Sequence, residues 1–210
     1  MRKDVLACFG LVCGMLLFSC SDAGPQIVSV QPVVVLSYED YVSAPRSSIS
    51  VFVLTASAPQ RAESVVVRKS DSALTWHDAR PQIFTVGTSR YVCSRNIRPA
   101  RRGRVQNGRY ELTYTDSAGN EAESSFAIAV DERALVARAE DVRAFFGSSV
   151  EFVAVYDKAD TLLYFSTPKP HWTSDGEIVK ELKTASSKRT CFLLDDNTVL
   201  VMLPLEALGG

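Results

Sequence analysis

The chain has 210 residues and a formal net charge of −1, with 46% hydrophobic and 22% charged residues. This length is sufficient to bury the core of one large or two small domains. A nearly balanced charge excludes a strong bulk attraction to nucleic acid, so we expect no nucleic-acid partner.

The first nineteen residues carry the pattern of an export signal. Arg2 and Lys3 precede an apolar segment, residues 5–18, and the small residue Ser19 follows it. This segment is shorter than the roughly 20 apolar residues that a bilayer-spanning helix needs. We therefore predict that residues 1–19 are a removable signal peptide.

The sequence Leu17-Phe18-Ser19-Cys20 resembles the lipobox of bacterial lipoproteins. Phe18, together with Asp4 in the basic region, makes it more similar to the spirochaete form than to the enteric one. The resemblance implies cleavage before Cys20 and a diacylglyceryl (palmitate-bearing) anchor on its sulfur. It also implies a place in the bacterial cell envelope, on the outer membrane or the periplasmic face of the inner membrane. The alternatives are an ordinary secretory signal with an incidental cysteine and a buried N-terminal helix.

After a short polar tether, residues 20–24, the chain consists of short β-rich runs separated by turn-forming residues. Such runs at this spacing favour a sandwich or barrel. The predicted strands cover residues 27–30, 33–36, 50–56, 64–68, 83–86, 91–94, 108–115 and 123–130.

The strongest local pattern is a hairpin near the end of this region. Tyr110, Leu112 and Tyr114 alternate with polar residues, and residues 116–120 offer Asp, Gly and Asn for a turn. The pattern G-x-Y-x-L-x-Y-x-D-x-A-G-N resembles the last hairpin of bacterial immunoglobulin-like domains. The resemblance implies a β-sandwich over residues 25–130. It says almost nothing about function, because such sandwiches have many different roles.

The sequence pattern changes at the start of residues 131–210, where helical spacing of apolar residues replaces the alternation of the preceding strands. Asp131 can cap a helix in which Leu135, Ala139, Val142 and Phe146 recur at helical spacing, and Gly147 can end it. Two hairpins are predicted next, one joining residues 150–156 to 161–165 and one joining 190–194 to 198–203. The intervening residues 167–188 read as loop, with a short helical turn near residues 178–182. We thus expect a mainly β protein, an N-terminal immunoglobulin-like β-sandwich followed by a small α+β unit of one helix and two hairpins.

Two cysteines follow the tether, Cys93 and Cys191. In an oxidising compartment they are a candidate disulfide, but their separation along the chain says nothing about their distance in space. Because both lie in apolar, strand-like contexts, two buried free thiols are the alternative.

A cluster of arginines is the main candidate binding site. The planar guanidinium suits carboxylate or phosphate, so the cluster is a candidate anion-binding patch, with a solvated basic loop as the alternative. Its members are Arg95, Arg98, Arg101, Arg102 and Arg104.

No pattern in the sequence indicates catalysis. His77 and His171 each adjoin a tryptophan, but two histidines fall short of the ligands that a zinc site needs. There is no nucleophile elbow, and neighbouring carboxylates such as Asp195 and Asp196 would point to opposite faces of a strand. We therefore expect no catalytic residue, no metal and no cofactor.

These observations favour a lipid-anchored envelope protein that is not an enzyme and that binds or scaffolds a partner. We expect the membrane as one partner, through the lipid, and a protein or glycan of unknown identity as the other. The alternatives are a structural subunit of an envelope assembly and an envelope hydrolase whose site is scattered along the sequence.

Overall fold

The computed structural model describes residues 24–56, 62–98, 103–194 and 196–209, and within these ranges the protein is mainly β. One α-helix, α1, spans Asp175–Glu181, and one 3-10 helix spans Val142–Phe145. The described strands are β1 (Ile27–Ser37), β2 (Arg46–Thr55), β3 (Ala62–Lys69), β4 (Thr75–Asp78), β5 (Gln82–Val86), β6 (Ser89–Ile97), β7 (Gly108–Asp116), β8 (Glu121–Ile128), β9 (Ser149–Asp157), β10 (Leu162–Ser166), β11 (Ala185–Leu194), β12 (Val199–Met202) and β13 (Glu206–Ala207).

These strands form two sheets. Sheet A has nine strands in the order β10-β9-β11-β12-β1-β2-β6-β5, with β13 paired to β11. Sheet B has four strands in the order β4-β3-β7-β8. The described pairs are antiparallel except for β1 with β12, which is parallel.

Strand alternation places one shared core between the sheets. On β2, Val51 and Val53 are fully buried, whereas Phe52 and Leu54 on the opposite face are half-buried, as their alternation predicts. Val65 of β3 and Leu112 of β7 belong to the same core cluster as Val51. The face of sheet A that carries Val51 is therefore its inner face.

The predicted hairpin at residues 108–130 is confirmed as β7 and β8. Asp116 holds its turn, because one carboxylate oxygen accepts hydrogen bonds from the backbone N–H groups of Ala118 and Asn120, each at 2.9 Å. Gly119 takes a φ of 82° there, which residues with a side chain rarely adopt. At the start of β7, the Tyr110 hydroxyl donates to the Gln106 carbonyl oxygen at 2.7 Å.

The helix predicted over residues 131–147 is wrong. This segment forms successive turns whose backbone N–H groups bond mostly to the third residue back, as Ala134 does to Asp131 and Leu135 to Glu132. The apolar periodicity was real, because Leu135 and Val142 are buried in the shared core. Packing against the sheets overrides helix propensity in so short a segment.

Both predicted C-terminal hairpins are present, as β9 with β10 and β11 with β12. β12 pairs with β1, so strands from both sides of the predicted boundary at 130/131 belong to one sheet. The described α-helix is α1, at the position of the short helical turn expected near residues 178–182. Ile178 of α1 packs with Val153 and Val155 of β9 in a second, smaller core.

Candidate interaction surface

The most prominent surface of the protein is the face of sheet A that points away from the shared core, here called the outer face. Strand register identifies its members, because cross-strand partners share a face. Its large apolar side chains include Val33, Val35, Phe52, Leu54, Phe84, Val86, Tyr91, Phe152, Phe165, Leu193, Leu200 and Met202.

The large side chains of the outer face are half-buried or exposed, with Phe165 at 49% and Val86 at 67%. Small residues between them, such as Ser50 and Ala154, are buried by their neighbours. Sheet B, the turns of residues 131–147 and α1 pack against the opposite face. The outer face is therefore apolar and open to solvent, which in a folded protein marks an interaction surface.

Arg189 lies on this face two strands in from the β10 edge, on β11 near Cys191 and opposite Ala154 of β9. Its Nε atom is buried and has no hydrogen-bond partner among the described residues. A buried guanidinium nitrogen without a hydrogen-bond acceptor is costly to stability.

Three members of the predicted arginine patch, Arg95, Arg98 and Arg104, lie among the described residues. Arg95 lies on the outer-face side of β6, with its guanidinium 5.9 Å from the centre of the Phe84 ring and hydrogen-bonded to Gln82. Arg98 follows the end of β6, and its carbonyl oxygen accepts a hydrogen bond from Trp76 Nε1. Arg104 is exposed in the segment before β7. Arg101 and Arg102 lie outside the described residues.

The structure does not contain the candidate disulfide. Cys93 and Cys191 are free and buried, on β6 and β11. Four strand spacings of about 4.8 Å separate these strands, so the two residues lie roughly 19 Å apart along the sheet, whereas bridged Cα atoms lie within about 7 Å. Burial raises the pKa of each thiol to about 11, which keeps both protonated and unreactive.

A second polar cluster surrounds α1. Glu181 accepts hydrogen bonds from Lys169 and, at 2.8 Å, from Trp172 Nε1, while His171 Nε2 lies 2.9 Å from the same carboxylate. These contacts, Lys169 first, lower the pKa of Glu181 to about 2. Because each group has its partner inside the cluster, the arrangement fixes the loop of residues 167–174 onto α1.

Sheet B offers a polar alternative to the outer face. Its open face forms a shallow trough with a volume of ≈ 750 Å³. Three of its charged groups have local partners, Arg68 with Glu111 and Arg109 Nη2 with Ser125 at 3.0 Å. A ligand would have to break these contacts, so the trough is the weaker candidate.

His77 stands exposed on β4, and the described residues hold no group of three histidine, cysteine or carboxylate side chains that could bind a metal ion. Nor do they include a helix of the length and apolarity that crossing a bilayer requires. The predicted lipidation site, Cys20, lies outside the described residues.

Sequence reasoning missed the outer face, although a signal for it exists. The runs Val33–Leu36, Cys191–Leu194 and Val199–Met202 are almost uninterruptedly apolar. Continuous apolar runs are typical of strands covered on both faces. The described residues pack against one face of these strands and leave the other apolar face uncovered.

No protein-family model matches the sequence, and the searches found no similar curated protein and no similar solved structure.

Proposed function

We propose that this chain is a lipid-anchored protein of the bacterial cell envelope that acts as a non-catalytic binding or scaffolding module. The outer face of sheet A carries the proposal. It is apolar and open, and it holds one guanidinium whose Nε has no acceptor among the described residues. Such a surface is suited to a partner, whereas catalysis would need converging reactive groups.

The size of the outer face supports a stable interface. Eight hydrogen-bonded strands at about 4.8 Å spacing make a face roughly 34 Å wide. A standard protein interface buries about 800 Å² on each partner. The outer face is therefore broad enough for a protein partner, with Arg189 near the centre of its β11 side as the polar contact.

Strand order supports an immunoglobulin-like sandwich in residues 25–130. Read as strands A to G, β1-β2-β6-β5 gives the order A-B-E-D and β4-β3-β7-β8 gives C′-C-F-G, as in immunoglobulin-type domains. The hydrogen bond from Tyr110 to Gln106 fits the tyrosine corner at the start of strand F. The two C-terminal hairpins then extend the A-B-E-D sheet through the parallel pair of β1 and β12.

Support for the anchor comes from the sequence Leu17-Phe18-Ser19-Cys20 and from the short distance along the chain between Cys20 and β1. Seven residues, 20–26, precede Ile27. Two acyl chains on Cys20 would hold the protein stably to a bilayer.

A structural subunit of an envelope assembly is the second candidate. The apolarity of the outer face favours it, because permanent interfaces are more hydrophobic than transient ones. Copurification of a stoichiometric partner in mild detergent, without crosslinking, would identify this case.

Photo-crosslinking in living cells tests the proposed binding. A photoreactive amino acid in place of Leu200 samples the outer face, and one in place of Thr113 on the open face of sheet B is the matched control, since both side chains are half-buried. We expect a discrete adduct from position 200 and none from position 113. No adduct from position 200, or equal adducts from both, would contradict the proposal.

A further inference from the structure

We propose that the β5–β6 hairpin inserts into the surface of the membrane that holds the lipid anchor. This inference rests on the lipidation of Cys20 proposed above. It assigns one end of the protein, and a specific set of side chains, to contact with the bilayer.

Strand register places the hairpin at the end of sheet A where β1 begins. Ser29 pairs with Leu54, Leu54 with Tyr91, and Tyr91 with Phe84, so these four residues form one row across the sheet. Three strand spacings put Phe84 about 14 Å from Ser29. β5 runs antiparallel to β1, so Val86 and the turn after it lie level with Ile27.

The length of the tether brings this end close to the membrane. The seven residues from Cys20 to Gln26 can span at most about 25 Å when fully extended. The acyl chains on Cys20 therefore hold the start of β1, and the hairpin beside it, within reach of the lipid headgroups.

The chemistry of β5 fits an interfacial environment. All five residues of β5 are exposed, and its apolar side chains lie on both faces of the strand, with Ile83 at 37%, Phe84 at 38% and Val86 at 67% exposure. Nearby on β1, Val28 is 59% exposed. An edge strand this apolar is normally covered. Insertion of such side chains at the headgroup level would remove them from water.

Charged residues at this end of the protein favour the β5–β6 hairpin as the part that contacts the membrane. Arg90, the second residue of β6, is exposed close to the turn, and a cation near an anionic leaflet is favourable. The β7–β8 turn lies at the same end, since Asn120 approaches Gly24, and it carries Asp116 and Glu121. An anionic surface therefore favours the β5–β6 hairpin over the acidic turn.

An environment-sensitive fluorophore on reconstituted protein tests the inference. The full mature lipidated protein is purified and inserted into vesicles of phosphatidylethanolamine and phosphatidylglycerol. NBD is attached at Val86→Cys or, as a second site on the same turn, at Thr88→Cys. Leu162→Cys is the matched control, because Leu162 is 51% exposed on the opposite edge strand of sheet A. The buried thiols of Cys93 and Cys191 should resist labelling.

We expect the NBD emission at positions 86 and 88 to shift to the blue and to be quenched by spin-labelled lipid, with no change at position 162. Protein that floats with the vesicles while positions 86 and 88 stay water-like would overturn this inference and leave the anchor intact. Protein that does not float at all would contradict the lipid anchor and, with it, the inference.

Discussion

Tyr110 and Tyr114 lie four residues apart on β7, and both side chains are buried in the shared core. Their hydroxyl groups differ: that of Tyr110 donates to the Gln106 carbonyl oxygen at 2.7 Å, whereas that of Tyr114 is buried without a partner among the described residues. A hydrogen bond of this kind contributes about 1 kcal/mol, and a buried unsatisfied hydroxyl contributes nothing or costs stability.

We therefore expect Tyr110→Phe to lower the free energy of unfolding by about 1 kcal/mol and Tyr114→Phe to leave it unchanged or raise it. Urea unfolding followed by circular dichroism measures both variants under the same conditions. Equal destabilisation by the two substitutions would contradict this assignment of the two hydroxyl groups.

Glu181 gives the protein a pH-dependent contact. Its pKa is about 2 in the folded protein, against 4.5 for an ordinary glutamate. Because the folded value is the lower one, the stabilisation is complete above about pH 4.5 and is lost as the pH falls towards 2. We expect Glu181→Gln to lower the thermal midpoint at pH 7. The difference from the wild type should disappear near pH 2, and a difference that persists at that pH would contradict the role of the carboxylate.

At the scale of an element, the β7–β8 hairpin depends on the backbone conformation of its turn. Gly119 has a φ of 82° and open space around it, so a methyl group there meets only backbone strain. Gly147 also has open space around it, but its φ lies outside the left-handed region that residues with a side chain rarely adopt. We expect Gly119→Ala to cost about 1 kcal/mol of unfolding free energy and Gly147→Ala to cost much less, as measured by urea unfolding. The reverse order would show that turn strain does not control the hairpin.

Local signals made most of the strands predictable. The hairpins at residues 108–130, 150–165 and 190–203 combine alternation or apolar runs with Asp, Asn or Gly in the turn, and both properties act within a few residues. β4 and β13 went unpredicted, because four and two residues are too few to show a pattern. The helix expected over residues 131–147 does not form, because packing of its apolar residues against the sheets, rather than their helical spacing, determines the backbone conformation of this segment.

Long-range features could not be predicted from the sequence. The parallel pairing of β1 with β12 joins Val34 to Val199, and the sequence carries no register signal over such a distance. The same pairing decides where Cys93 and Cys191 lie, and it brings the two apolar halves of the outer face together. The sequence therefore contains the apolar runs that make up the outer face, but it does not show that these strands lie side by side in one sheet.

At the scale of the whole molecule, the shared sheet predicts that the two halves of the chain unfold together. Trp76 lies on β4, before the boundary at 130/131, and Trp172 lies after it. In the single-tryptophan variants Trp172→Phe and Trp76→Phe, the remaining tryptophan reports on one half. For each variant we expect its fluorescence and its far-ultraviolet circular dichroism to give the same urea midpoint. A midpoint that differs between the two probes of one variant would show two independently stable units.

The proposed lipid at Cys20 is the central claim, since it would place the protein in the cell envelope and bring the β5–β6 end of sheet A to the membrane. Metabolic labelling with an alkyne analogue of palmitate tests this directly, with the Cys20→Ala variant and the matched control Cys13→Ala inside the proposed signal peptide. We predict that the wild type and Cys13→Ala incorporate the label and that Cys20→Ala does not. Label retained by Cys20→Ala, or absent from the wild type, would contradict the account.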